Sequence, residues 1–254
     1  MKTTIHLGGA LLLVLLSWQA IAWLGGWNEA LFPTPSQTVY GFAEIIADGV
    51  LLKDIGTSLY RFLLGYTSSV LLAMALGLVL GWYHNIWAFL NPIAQVLRPI
   101  SPVAWLPFIV LVFGIGDMPS LVIIFLAAFF PVLLSTVAAV RGIEPVYLKV
   151  AQNFGIGQPQ LLTKIIFPAI FPRIATGLHL ALGTAWVFLV AGEMVGTQSG
   201  LGFLIIDARN NLRADLLMTA IITIGVLGLL LDSSITLLEK RIYRRWGIPE
   251  RSNA

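Results

Sequence analysis

Residues 141–172 read RGIEPVYLKVAQNFGIGQPQLLTKIIFPAIFP, the one sizeable polar interruption in an otherwise apolar chain. Two short helical patterns lie inside it, Val146 to Phe154 and Gln160 to Phe167. Gly155-Ile156-Gly157 separates them and Pro168 closes the second, as glycine and proline punctuation does. The stretch is basic at Arg141, Lys149, Lys164 and Arg173. It predicts a water-facing helical hairpin hung from a bilayer domain, on a surface suited to gripping another protein. Val150, Phe154, Leu161, Leu162 and Ile165 would fill a hydrophobic groove on that protein. From composition alone, a helix lying on the bilayer fits as well.

Outward from this stretch the chain is nearly all membrane. Its 254 residues are 58 % hydrophobic and 11 % charged, with a mean hydropathy of +0.90, beyond what a water-soluble globule carries. A bilayer core takes about 20 helical residues per crossing, so this length permits roughly six spans with short connections. No room remains for a separate catalytic domain. There is no cysteine, which excludes disulfides and thiolate metal sites.

The apolar runs place spans at about 5–24, 59–83, 87–113, 120–140, 174–195 and 216–238 of a single domain, residues 1–254. The first is headed by Lys2 and ends near Trp23 and Trp27; Ala20-Ile21-Ala22 also resembles a signal-peptide cleavage site. After Pro33 and Pro35, Ser36 is a plausible N-cap for an interfacial helix, with Val39, Phe42, Ile45 and Ile46 on one face until Gly49. Span two carries Ala73, Gly77 and Gly81 at every fourth position, a pattern that lets helix backbones approach closely in lipid. Span three is interrupted by Pro92, Pro99, Pro102 and Pro107. Irregular backbone survives at membrane depth only against protein or a wet cavity, so this span is expected inside the bundle, lining a route for solute. Pro131 falls near the middle of span four.

Six spans put both termini on one side. That side would carry Lys2, Arg141, Lys149, Lys164, Arg173, Lys240, Arg241, Arg244, Arg245 and Arg251, against Lys53, Arg61, Arg209 and Arg213 opposite. Ten basic residues against four orient the termini and the hairpin toward the cytoplasm, with Asp48, Asp54, Asp117, Asp207 and Asp215 outside. No duplication into two halves, as in many secondary transporters, is visible.

Few residues could carry chemistry. No G-x-x-x-x-G-K-[ST] phosphate loop exists, because Gly155-Ile156-Gly157 and Gly200-Leu201-Gly202 lack the lysine, so the chain is not expected to bind or hydrolyse ATP. Ionisable groups within spans are functional candidates. Glu193 is expected near the outer boundary, where an exposed carboxylate costs little, in a structural role or in contact with solute. Asp232 is expected to pair with a helix end or a basic neighbour, and His179 reads as a lone packing imidazole. Arg61 and Arg98 suit oxyanion recognition, although headgroup snorkelling or helix capping is the commoner role of such arginines. No His, Asp and Glu cluster has metal-ligand spacing.

The interval Lys149-Val150-Ala151, Gly155, Ile165, Phe167, Pro168 resembles the cytoplasmic loop of ABC importer permeases, in which an E-A-A triplet precedes a glycine and then I-x-L-P. Lys149 replaces the glutamate and Phe167 the leucine. Phe32-Pro33-Thr34-Pro35-Ser36, Ser58-Leu59-Tyr60-Arg61, Leu97-Arg98-Pro99-Ile100, Phe113-Gly114-Ile115-Gly116, Ala191-Gly192-Glu193 and Gly200-Leu201-Gly202 are similar to the branch for nitrate, sulfonates, taurine and bicarbonate. The resemblance covers about residues 32–246.

It implies an all-α, six-span, type I importer permease acting as a homodimer in the bacterial cytoplasmic membrane. The two cytoplasmic coupling hairpins of the dimer, each between spans four and five, would dock on two ATP-binding subunits through Lys149, Ala151, Phe154, Gly155, Ile165 and Pro168. ATP and Mg would sit on those subunits and no cofactor in this chain. A periplasmic or lipid-anchored binding protein would deliver solute along a path including Arg98, Pro102, Pro107 and Glu193. No nucleic-acid partner is implied. The cargo is expected to be an oxyanion; importers of thiamine or riboflavin precursors are also similar, and an ion-coupled secondary transporter or a membrane scaffold are the rival classes.

Overall fold

Runs of apolar residues long enough to satisfy their own backbone hydrogen bonds in lipid dictate an all-helical chain. The computed structural model describes residues 2–26, 28, 30–144, 146, 149, 151, 153–157 and 160–246. Pro145, Val150, Trp27 and Arg251 lie outside these, as does the side chain of Leu162. The helices are α1 (Lys2–Leu24), α2 (Pro35–Ala47), α3 (Val50–Trp82), α4 (His84–Leu97), α5 (Leu106–Phe113), α6 (Asp117–Arg141), α7 (Phe167–Gly196), α8 (Leu201–Asn210) and α9 (Ala214–Trp246).

Four helical stretches among the described residues are long and apolar enough to cross a bilayer: α3, α6, Lys164–Gly196 and α9. A fifth candidate is the pair formed by α4 and the segment Pro102–Phe113, which meet at 80° as a broken span or a re-entrant loop. The break falls where Pro99, Pro102 and Pro107 remove backbone donors and disfavour helix before them. This broken pair does not lie inside the bundle of the single chain, as the sequence suggested. Trp87, Ala94, Leu106 and Ile109 are buried, but Phe89, Val96, Phe108 and Leu111 stand exposed at its edge. The bend carries α5 away from the axis of α4, so only one side of each reaches the bundle.

The central helix is α6, packed along α3 on one side and α7 on the other. Close approach needs small residues on α3. A Cβ on Gly77 would lie 2.6 Å from Thr136 Cβ, and one on Gly81 would lie 2.7 Å from Val140 Cβ. The small-residue pattern read from span two is therefore the α3–α6 seam, with Ala73 fully buried in it. Side chains bond to backbone across the helices. Tyr66 Oη donates to the Leu178 carbonyl at 2.8 Å, Ser69 Oγ to Phe125 at 2.8 Å and Trp186 Nε1 to Ile224 at 3.1 Å. On the other side of α6, the missing N–H of Pro131 leaves the Ala127 carbonyl without its helical donor, and Thr184 Oγ1 of α7 lies 3.4 Å from that carbonyl.

The N-cap of α2 is Thr34, not Ser36. The Thr34 N–H donates to Gln37 Oε1 at 2.8 Å and Thr34 Oγ1 accepts from the Gln37 N–H, a reciprocal capping box with Pro35 in the first turn. The apolar side of α2 divides: Thr38, Gly41 and Ile45 are buried, Gly41 against Asp215 and Leu216 of α9. Val39, Phe42 and Ile46 line a groove with Leu15 and Trp18 of α1.

Candidate functional site

The segment between α6 and α7 was expected to be a hairpin closed by Pro168, and the structure corrects its second half. Its first arm is helical at Val146, Lys149, Ala151 and Asn153 and turns at Phe154 and Gly155. The Ile156 N–H donates to the Ala151 carbonyl at 3.0 Å across Gly155, whose φ is +64°. That is a helix end closed through a left-handed residue, the position where glycine avoids a steric penalty. The second arm does not stop. Leu161–Ile166 form a π-helical stretch that runs directly into α7 at Phe167. Pro168 therefore lies two residues past the change from π to α winding, inside one continuous helical run, and does not end the stretch before it.

This continuity divides the residues predicted to grip a partner. Ala151 and Leu161 are buried with Ala139, Val140, Ile166, Ile170 and Ile174, and Ile165 packs on the same cluster. Their apolarity is used inside the chain. Phe154 is 78 % exposed, and Lys149 and Gly155 are exposed beside it. Pro168 is half-buried. The segment is pinned by Arg173 Nη1, which donates to the Gly142 carbonyl at 2.9 Å, while Arg141 Nη2 lies 2.6 Å from His84 Nδ1.

At the opposite end of the bundle, phrases far apart in sequence converge. Arg61 and Glu193, at 2 % and 0 % exposure, pair at 2.8 Å between Nη1 and Oε1. Arg61 Nε also donates to Asp117 Oδ1 at 2.7 Å, Nη1 to the Ser199 carbonyl at 2.7 Å and Nη2 to Ser199 Oγ at 2.7 Å. Glu193 accepts from Ser58 Oγ at 2.8 Å and from the Gly202 N–H at 3.0 Å, while the Gly200 N–H donates to Asp54 Oδ1 at 2.9 Å. A Cβ on Gly200, whose φ is +100°, would run into the Glu193 carboxylate. Glu193 is thus enclosed rather than exposed at a boundary. Arg61 is a buried ion-pair partner rather than a loop cation, which leaves three counted basic residues on its side. One network fastens α3, α6, α7 and the start of α8.

A third feature is a cavity of about 540 Å³ bounded by the α4–α5 break, α6 and α7. Arg98, Pro102, Phe130, Ser135, Thr184 and Phe188 are among its lining residues. Of the predicted pathway set the structure brings Arg98 and Pro102 together here. Pro107 and Glu193 are absent from the lining, Pro107 lying exposed along α5 and Glu193 in the network above.

Sequence reasoning missed the surroundings of His179. Its Nδ1 lies 2.7 Å from Asp232 Oδ1 and its Nε2 3.1 Å from Glu239 Oε1, so the imidazole ties α7 to α9 between two carboxylates. Asp232 does have the basic neighbour expected for it. Asp232 and Glu239 are seven residues apart, two turns on one helical face, and that spacing was the available signal. Among the described residues no group of three or more His, Asp or Glu side chains is placed to hold a metal ion.

Residues 70–244 match the family described as binding-protein-dependent transport system inner membrane component. The putative aliphatic sulfonates transport permease protein SsuC of Bacillus subtilis is 34 % identical over 231 residues, covering 91 % of this chain and 84 % of that protein. The taurine transport system permease protein TauC of Escherichia coli is 32 % identical, over 92 % and 87 % of the two chains. The nitrate import permease protein NrtB of a Synechocystis strain is 31 % identical over the same shares, 92 % and 87 %. In fold, a chain of the MetNI methionine ABC transporter, solved in inward-facing conformations, superposes with a TM-score of 0.64. It is 18 % identical, over 78 % of this chain and 96 % of that one.

Proposed function

This chain belongs to the family of binding-protein-dependent transport system inner membrane components, and from that premise we propose that it carries a small oxyanion through the bacterial cytoplasmic membrane. As a multi-pass ABC permease component it is not itself a catalyst. Its work is vectorial, and ATP hydrolysis belongs to a separate subunit.

The observation that carries the substrate reading is the Arg98 cavity. It sits where α4 and α5 break and where α6 carries Pro131, and irregular backbone at membrane depth favours a wet path. Arg98 offers a planar fork of donors matched to carboxylate, sulfonate or nitrate oxygens, and Ser135 and Thr184 offer hydroxyls. Relatives named for aliphatic sulfonates, taurine and nitrate share compact oxyanionic cargo. Bicarbonate fits the same description.

The shape of the chain supports the rest of the reading. Counting Gly8–Leu24 as a span and the α4–α5 pair as another makes six, and the excess of basic residues favours a cytoplasmic side for both termini and the 141–172 segment. Phe154 and Gly155 are the exposed tip presented to the ATP-binding subunit. From Leu161 onward the chain runs into α7 as one helix, so a push passed on to the π-helical stretch is carried into α7. A second copy of the chain completes the pathway. The exposed apolar surface of α5 and the Thr176, Leu180, Gly183, Thr184, Val187 stripe of α7 are available to that copy. Two ATP-binding subunits and an external binding protein complete the assembly.

Uptake by proteoliposomes holding the complete complex tests this reading. Taurine, an alkanesulfonate, nitrate and bicarbonate are offered in turn, with ATP inside. At least one is expected to accumulate with ATP and to remain indifferent to ionophores. Arg98→Met is expected to lower that uptake by about tenfold to a hundredfold, the worth of a hydrogen bond to a charged group at about 1.5–3 kcal/mol. Arg98→Lys should keep part of it. Unchanged uptake in Arg98→Met would remove the arginine from the path, and collapse of uptake with an ionophore would point to secondary transport.

A further inference from the structure

Two helix ends in this chain are closed by the same hydrogen-bond pattern, with different residues at the critical position. At one, the Ile156 N–H reaches the Ala151 carbonyl and the residue between, with φ +64°, is Gly155. At the other, the Arg213 N–H reaches the Ala208 carbonyl at 2.9 Å, and the residue preceding Arg213 is Leu212, with φ +55°. Leu212 is the one non-glycine residue with positive φ among those described. A leucine in this left-handed position carries a steric cost that glycine avoids.

Packing within the chain does not repay that cost, because Leu212 is 66 % exposed. Nor does the turn sit in an apolar setting. Asp207, Arg209, Asn210 and Asn211 are exposed around it. The next residue, Arg213, holds Glu44 of α2 at 2.6 Å and Asp215 of α9 at 2.8 Å. Glu44 is part of the exposed stripe Tyr40, Glu44, Asp48 on α2, and the Arg213 hydrogen bond lowers its pKa, so the clamp is charged at neutral pH. A strained, exposed apolar side chain therefore stands next to a clamp of paired charges of both signs. An apolar anchor with a polar rim is the arrangement of an interface hot spot, and persistent backbone strain points to use.

We propose that Leu212 is a docking knob for the external binding protein, seated in an apolar pocket of that protein while the adjoining Glu44–Arg213–Asp215 clamp meets its polar rim. The proposal rests on the reading above that the α8–α9 turn faces outward. It names a protein partner rather than lipid because the clamp fixes the turn among charged groups on the polar side of α2.

The chain has no cysteine, so Leu212→Cys provides a unique thiol. In intact cells it is expected to react with a membrane-impermeant maleimide; reaction in inverted vesicles alone would overturn the outward orientation itself. In nanodiscs holding the complete complex, the purified binding protein encoded with it is expected to slow this labelling about tenfold or more. Leu212→Gly relieves the strain, so the melting temperature is expected to rise by about 2–4 °C. In the same variant the ratio of binding-protein-stimulated to basal ATP hydrolysis should fall toward one. A thiol labelled from outside but unprotected by the binding protein, with full stimulation in Leu212→Gly, would overturn the docking role and leave the orientation intact. A thiol that reacts in detergent but not in empty nanodiscs would assign Leu212 to lipid instead.

Discussion

Replacing Arg61 by Met is expected to destabilise the folded chain by about 3–5 kcal/mol, the cost of leaving one member of a buried ion pair without its partner. Glu193 is fully enclosed, and without the guanidinium it keeps only Ser58 Oγ and the Gly202 N–H as donors. Glu193→Gln is expected to cost less, about 1–3 kcal/mol. The amide preserves the shape that fills the space beside Gly200, and Arg61 retains Asp117 and Ser199. Thermal unfolding of the purified chain in detergent checks the order. Equal losses in the two variants, or a loss under 1 kcal/mol in Arg61→Met, would show that water reaches the pair. The variants should also differ in where they loosen the chain, with hydrogen exchange rising at the start of α8 and the first turn of α6.

The second large effect is expected at Gly155, and it concerns transport rather than stability. Its φ of +64° costs a non-glycine residue roughly 1–2 kcal/mol, and a Cβ there would meet no atom within 4 Å. Substitution therefore tests the backbone of the turn without creating a clash. Gly155→Val is expected to leave insertion and assembly intact while ATP-driven uptake falls at least about tenfold, because the tip no longer holds the conformation that meets the ATP-binding subunit. Gly155→Asn should retain most activity, since asparagine tolerates the left-handed region. Uptake in Gly155→Val within twofold of wild type would detach this turn from energy transfer.

Much of the fold was legible because lipid imposes a simple rule on sequence. Four of the apolar runs became long helices, and Ala73, Gly77 and Gly81 marked the α3–α6 seam because only small residues admit a backbone that close. Prolines were harder to read. Pro131 stays inside α6, with Thr184 of α7 near the carbonyl it frees, and Pro168 stays inside the run that joins the π-helical stretch to α7. Neither outcome is local. The Arg61 network was present in the sequence only as separate phrases, since its central pair is 132 residues apart. That Arg61 and Glu193 stand in or beside apolar runs was the readable half; their burial and their pairing came from helix packing. Leu212 gave no signal, because a left-handed turn is usually announced by glycine or asparagine and the asparagine here stands one residue earlier.

The central claim is that a separate ATP-binding subunit drives this permease through the exposed tip between α6 and α7. Phe154→Cys tests it most directly, since the chain offers no other thiol and Phe154 is 78 % exposed. In the assembled complex, a short bifunctional crosslinker is expected to join this cysteine to the ATP-binding subunit, with a yield that changes when ATP is bound. Labelling of the same thiol by an impermeant maleimide from outside intact cells, with no crosslink to the ATP-binding subunit, would contradict the account.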